Sequence, residues 1–465
     1  MTATTSQETA PSGANGRQRI LVLGGGYVGL YTARGLRNGL RNDEAHVTIV
    51  DPRPYMTYQP FLPEVAAGSI EPRHVVVSHR RNLKGVEVIT GAVTGLRHAE
   101  RTATVKPQQG DEIEVRYDQV VVALGSVSRV LPIPGLAEQA IGFKTVEEAT
   151  ALRNHVLERL DVAAALPQGP SRVRALTFVF VGGGYAGIEA LAELEDLARD
   201  AVAQYPEIEQ SEVRFVLVEA LNRILPEVGE QMGRWTLTQL RARGIDCRLE
   251  TFLKSCEDGH VVLSDGAEFD TDTIVWTAGV KSNPVLADTD LPLDKMGRLR
   301  VRADLRVAGN DGVVEGAWGA GDACAVPDLT KEPGNFCAPN AQHAVRESKQ
   351  MAKNIIAVLH GEPTVDYSHK YLGSVASLGL GKGVATVYGL KVKGWPAWLM
   401  HRAYHGSQIP TFNRKFRVLL DWAGSAVFRR DTVALGRLER PREEFVASAA
   451  KPPTPRPAGQ SAPGS

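Results

Sequence analysis

Two stretches of the chain are near copies: Leu21–Ala33 reads LVLGGGYVGLYTA and Val179–Leu191 reads VFVGGGYAGIEAL. Gly182, Gly184, Tyr185 and Gly187 each stand 158 positions after Gly24, Gly26, Tyr27 and Gly29. In G-x-G-x-x-G the first glycine makes a strand-to-helix turn, the second leaves room for a pyrophosphate, and the third lets helix pack on strand. Free amides and the positive helix end then hold the phosphates. The pattern means little without its context, and both copies have it. Arg19–Leu23 is an apolar run before the first loop, followed by a helical pattern through about Leu40 and the strand HVTIVD. LTFVFVGGG, a helix through about Gln204 and VRFVLVE repeat that order. A supersecondary unit repeated at so long a period specifies two nucleotide-binding domains rather than a solenoid.

An acidic residue at the end of the second strand of such a unit accepts hydrogen bonds from ribose hydroxyls. Asp51, 22 residues after Gly29, and Glu219, 32 after Gly187, fill that place, with the polar insertion AQYPEIEQSE explaining the longer interval. A carboxylate at Glu219 repels a 2′-phosphate, so NADH is expected over NADPH. Arg223 nearby is either a phosphate ligand or a surface arginine. Two further strands, DQVVVALGS and TDTIVWTAGV, end in small residues. Ala123 and Gly125, and Ala278 and Gly279, would let backbone approach a dinucleotide from the far side. The segment GAWGAGDACAVP, with Gly321 and Asp322, resembles the second flavin fingerprint of two-dinucleotide flavoproteins, which assigns the first loop to FAD.

At 465 residues the chain calls for two or three domains. Lys+Arg and Asp+Glu balance at 53 each, which argues against a nucleic-acid partner. Cys247, Cys256, Cys324 and Cys337 form no C-x-x-C, so no zinc knuckle or dithiol motif is expected, and a reducing setting fits. Residues 1–17 read as a disordered leader and the Pro-, Ala- and Gly-rich end, 441–465, as a disordered tail. No run of eighteen apolar residues exists to span a bilayer.

Four further segments resemble type II NADH:quinone oxidoreductases, the single-subunit, non-proton-pumping respiratory dehydrogenases. YMTYQPFLPEVAAGSIEPRHV carries Gln59, Pro60, Leu62, Ala66 and Gly68; GGGYAGIEA places Glu189 where the family has a glutamate near the nicotinamide. NAQHAVRE resembles the quinone motif A-Q-x-A-x-Q, with Arg346 in place of the second glutamine; GWPAWLMHRAYH and NRKFRVLLDWAGSAVFRRD resemble the membrane-binding C-terminal part. The resemblance implies an α/β fold of two Rossmann-like domains, the second inserted in the first, plus a C-terminal α+β membrane-attachment region. Expected divisions are 18–165 and 299–362 for FAD, 166–298 for NADH, and 363–440 for membrane, quinone and dimerisation. Non-covalent FAD is expected at Gly24, Gly25, Gly26, Tyr27, Gly29, Asp51, Val93, Ala123, Gly125, Gly321 and Asp322. NADH as substrate falls to Gly182, Gly184, Gly187, Glu219, Ala278 and Gly279; Glu189 and Gln342 are the catalytic candidates, and no metal site is expected. A quinone is the implied acceptor, and a homodimer at the cytoplasmic side of the cell membrane the implied state. Rival readings are a disulfide or sulfide:quinone reductase, which needs paired cysteines, a reductase with a soluble acceptor, and a flavin-binding redox sensor.

Between Tyr388 and Arg437 nine Lys+Arg face two Asp, a local charge of +7. Phe416, Leu419, Leu420, Ala423 and Val427 fall on one side of a helical wheel, with Trp395, Trp398 and Trp422 nearby. An apolar stripe between basic ends suits an anionic membrane surface; the alternative is packing on the core or a second subunit. Gln342 and His343 open a helix after the flavin fingerprint. Either can hydrogen-bond a quinone carbonyl, or simply cap the helix and fill the core.

Overall fold

A computed structural model describes residues 17–41, 43–370 and 373–435, together with Arg442, Val446 and Ser448. The expected leader and tail therefore lie almost wholly outside the described residues. Eight strands form the larger sheet, in the spatial order 306–308, 313–319, 119–122, 18–23, 45–51, 87–97, 102–107 and 113–116. The first glycine unit lies at its centre. Gln18–Leu23 pairs in parallel with Ala45–Asp51 on one side and Gln119–Val122 on the other, and Val313–Gly319 pairs beyond. Two strands from after residue 300 thus complete a sheet begun at residue 18, as an inserted domain requires. Central strands buried on both faces read as continuous apolar runs, and Ile20–Leu23 is fully buried.

The second unit builds a five-stranded parallel sheet in the order 140–142, 273–276, 177–181, 214–218 and 246–248. Thr177–Val181 is buried at every position. Ala140–Gly142 is an edge strand of this sheet, although it precedes residue 166. The helices following the two loops span Tyr27–Gly39 and Tyr185–Val202. A third long helix, Ala341–Leu359, packs on Tyr27–Gly39. Asn340 caps it, its side-chain oxygen accepting from the His343 amide at 2.8 Å.

The C-terminal region is a three-stranded antiparallel sheet, 373–377, 383–387 and 390–393, followed by helices Trp395–Gln408 and Phe412–Phe428. Among the described residues no helix is long and apolar enough to cross a membrane.

Candidate active site and flavin cradle

The six loop glycines divide into three physical roles, and each role recurs in the second copy. Gly24 and Gly182 have φ of +101° and +116°, a region closed to most side chains, and turn the strand into the helix. A Cβ on Gly29 would strike the carbonyl oxygen of Gly24, and one on Gly187 that of Gly182. Gly26 and Gly184 have ordinary negative φ, and a Cβ on either would meet nothing within 4 Å. The first glycine shapes the turn, the third admits the helix, and the second keeps space free for a ligand.

The acids are equally matched. Asp51 accepts from the Gly25 amide (2.6 Å) and the Arg53 amide (2.8 Å), while Glu219 accepts from the amides of Gly183 and Leu221. Burial pushes the Asp51 pKa up, and the two amides work against that shift. On the other side of the first loop, buried His79 donates from Nε2 to the Gly25 carbonyl (2.8 Å) and stands where a Cβ on Gly25 would go. His79 carries no motif and was not legible beforehand.

Gly26 borders a cavity of about 710 Å³, of the size that takes a large cofactor. Gly24, Tyr27, Asp51, Ala123, Gly125, Gly321 and Asp322 line it, and so do Arg53, Gln59, Ser126 and Lys144. Lys144 donates to Ser126 Oγ, and Ser126 donates to Asp322 Oδ2, both at 2.7 Å. Burial lowers the Lys144 pKa, opposed by Asp322 and Glu148. The sequence offered no local signal for this lysine, which reaches the cavity from outside every motif. Val93 is not among the lining residues; it sits buried in strand Glu87–Arg97, paired with Val105. Gly29 serves helix packing rather than the cavity wall. The residues present fit a dinucleotide flavin: an open second glycine, a ribose-side acid, a second fingerprint facing the first loop, and room for the ligand.

Glu189 does not cap its own helix. It is buried, accepts from the Ser377 amide at 2.8 Å and lies 3.1 Å from His401 Nε2, bridging the second glycine unit to the C-terminal region. Burial alone would lower the His401 pKa, but the carboxylates facing it, Glu189 first and then Glu64 and Glu193, outweigh it and the pKa is raised. The His401 and His405 rings are 4.5 Å apart, and His405 Nδ1 is 3.2 Å from the Tyr58 hydroxyl, whose ring lies edge-on to Tyr27. A file of buried and half-buried titratable groups therefore runs from the first glycine loop to Glu189. Gln342 is in the first turn of its helix, beside the cavity-lining Ala341, with Oε1 3.1 Å from His369 Nε2. Arg346 donates to the Gln342 carbonyl at 2.9 Å.

Two expectations about the C-terminal region are corrected. Trp398 and Trp422 do not face outward with Trp395: they sandwich the Arg402 guanidinium at 4.1 and 4.9 Å, and Arg402 in turn pairs with buried Glu64 at 3.0 Å. Arg430 is not a surface cation either, since it is buried against Glu193 at 3.0 Å. Helical periodicity marks apolar and basic positions without revealing which of them meets a buried carboxylate.

All four cysteines are free. Burial pushes the Cys337 thiol up to about 12 and Cys324 well above its ordinary value, the reverse of what a reactive dithiol needs.

Residues 18–348 match the pyridine nucleotide-disulphide oxidoreductase family. The type II NADH:quinone oxidoreductase of Staphylococcus epidermidis is 30% identical over 388 residues, covering 82% of this chain and 92% of that protein. That of Staphylococcus aureus is 30% identical over 396 residues, covering 84% and 94%. In fold the chain is similar to the NDH2 structure from Plasmodium falciparum in complex with NADH, with a TM-score of 0.82 at 16% identity over 90% of this chain and 99% of that one. With paired glycine loops, an acid bonded to each loop and a cavity of flavin size already in place, the chain belongs to the pyridine nucleotide-disulphide oxidoreductase family and, within it, to the type II NADH:quinone oxidoreductases.

Proposed function

We infer that the protein is an FAD-dependent NADH:quinone oxidoreductase: hydride passes from NADH to FAD, and two electrons pass on to a quinone without proton pumping. The observation that carries this reading is the second glycine unit, which repeats the geometry of the first down to the unfilled second glycine. FAD, when bound, supplies the two-electron exchange. The chain's own residues position both partners. Gly182, Gly184, Gly187 and Glu219 would hold NADH, with Ala278 and Gly279 at the end of the neighbouring strand. Gly24, Gly25, Gly26 and Asp51 would hold the flavin's adenosine half, and Gly321, Asp322 and Lys144 its phosphate-to-ring half. Domain divisions at 298/299 and 362/363 accompany this assignment, whereas the one expected at 165/166 moves ahead of strand Ala140–Gly142, which joins the NADH-side sheet.

Anaerobic stopped-flow mixing tests it. NADH should bleach the flavin, and a menaquinone or ubiquinone analogue should restore its colour; failure of both quinones to reoxidise it would rule this function out.

For the acceptor side, the proposal rests on buried polar atoms near the first loop. Tyr27 Oη, Glu64 Oε1 and Trp398 Nε1 have no hydrogen-bond partner among the described residues. Buried polar groups are normally satisfied, so such atoms mark where a ligand or water belongs. Glu189, through His401, and Gln342 remain the candidates for moving or holding the proton that quinone reduction consumes.

Peripheral attachment to an anionic membrane surface is proposed from the outer face of the last two helices. Trp395 (65% exposed), Phe412 (82%), Phe416, Leu419, Leu420, Val427 and Phe428 (84%) point outward, while Val418 on the opposite side is buried. Losing one inserted Phe costs about 1.5–3 kcal/mol, roughly tenfold to a hundredfold in binding. Phe412→Asp and Phe428→Asp should each weaken co-sedimentation with anionic liposomes by at least about tenfold. Undiminished sedimentation of both variants would overturn the assignment. The cytoplasmic side is favoured by the free thiols. A homodimer is proposed from the family resemblance, with sedimentation velocity as its test.

A further inference from the structure

Cys337, His343 and Glu347 come together beside the second flavin fingerprint, and none has a part in the function proposed above. His343 and Glu347 are four residues apart on helix Ala341–Leu359 and so share a face, while Cys337 reaches them from the preceding loop. One donor atom from each lies within 4.8 Å of the other two. Both helix residues are buried and Cys337 is half-buried, leaving one side within reach of solvent.

We propose that these three side chains form a binding site for a zinc-class divalent cation that braces the flavin fingerprint from behind. Thiolate, imidazole and carboxylate form a donor set suited to Zn²⁺, and not to Mg²⁺ or Ca²⁺, which take oxygen. A thiolate and a carboxylate balance the dication, with the imidazole neutral, so the occupied centre carries no net charge into the interior. Tetrahedral zinc with bonds near 2.0–2.3 Å places its ligand atoms roughly 3.3–3.7 Å apart, so the cluster contracts by at most about 1.5 Å. Binding exchanges the thiol proton, and any proton on the carboxyl, for the metal.

The surroundings are built as metal sites are built. Glu347 Oε2 already accepts from the Gly321 amide at 2.7 Å, and the Tyr367 hydroxyl lies 2.9 Å from His343 Nδ1. Such outer partners orient ligands and sharpen affinity. A water is left for the fourth position. Because Glu347 holds Gly321, occupancy would tie the Cys337 loop and the helix to the fingerprint glycine. Flavin retention and metal binding are then coupled, a consequence that rests on the flavin assignment above.

Chelator-treated, dialysed holoenzyme should take up about one Zn²⁺ per chain. Co²⁺ in its place should give a near-ultraviolet thiolate-to-metal charge-transfer band, and the metal-loaded form should release FAD more slowly and melt at a higher temperature. Cys337→Ala should lose the uptake and the cobalt band, while Cys337→Ser should keep its fold and bind at least about tenfold more weakly. Cobalt without the thiolate band, or zinc uptake unaffected by Cys337→Ala, would overturn the site. Uptake that leaves FAD release unchanged would overturn the coupling. Metal content is read without turnover, so a metal-free enzyme that still passes electrons to quinone leaves the proposed function standing.

Discussion

Gly26→Val should yield a folded protein that retains little FAD and has lost at least about a hundredfold of its NADH:quinone turnover. The expectation comes from the different surroundings of the three glycines. Gly24 has φ +101°, and a Cβ on Gly29 would strike backbone, so substitutions at either damage the fold itself. Gly26 has φ −69°, and its missing Cβ points at the cavity instead of at protein. A valine there is accepted by the chain and refused by the ligand. Gly184→Val should show the complementary defect, purifying yellow but failing to bleach when NADH is added. Circular dichroism and the flavin-to-protein absorbance ratio decide both cases. A Gly26→Val protein that purifies with full flavin would remove the first loop from the FAD site.

Glu189→Ala should lower the melting temperature by several degrees, because it strands buried His401 and the Ser377 amide together. Breaking a buried pair by removing one partner costs about 3–5 kcal/mol. Glu189→Gln keeps an acceptor for Ser377 and removes only the charge, which allows the pH dependence to be read. In the parent the His401 pKa is raised above its ordinary 6.5. Its stabilising contribution is therefore complete below about pH 6.5 and is lost as pH rises through the folded-state pKa. In Glu189→Gln the largest raising influence is gone while Glu64 and Glu193 remain, so the folded-state pKa drops and the loss of stability begins at lower pH. Melting curves from acid to alkaline pH should show this shift; parallel profiles would mean that His401 does not titrate against Glu189. If Glu189 also serves quinone reduction, reoxidation of bleached flavin in Glu189→Gln should slow by at least about tenfold, or about 1.4 kcal/mol, with the NADH step unchanged.

The helices predicted to end near Leu40 and Gln204 end at Gly39 and Val202, and the one expected over Asn340–His360 spans Ala341–Leu359. These elements were legible because an apolar strand, a glycine turn and an amphipathic helix are all encoded over adjacent residues. Asp51 and Glu219 were legible for the same reason. Lys144 and His79 were not, since each meets the first glycine unit only through the packing of a distant segment. The outward stripe Phe416, Leu419, Leu420 and Val427 followed from periodicity, whereas the inward turn of Trp422, Trp398 and Arg430 depended on Glu64 and Glu193.

Sequence alone determined that there would be two dinucleotide-binding units, which glycine plays which part, and which acid stands beside each glycine loop, because those instructions are local in the chain. Tertiary structure decided where the second copy departs from the first. Glu189 occupies a position that is Tyr31 in the first unit, and from the sequence it could be assigned only by resemblance. Folding brings it against Ser377 and His401, residues more than 180 positions away. The partners that satisfy a buried carboxylate are a property of the packed molecule, not of any stretch of sequence.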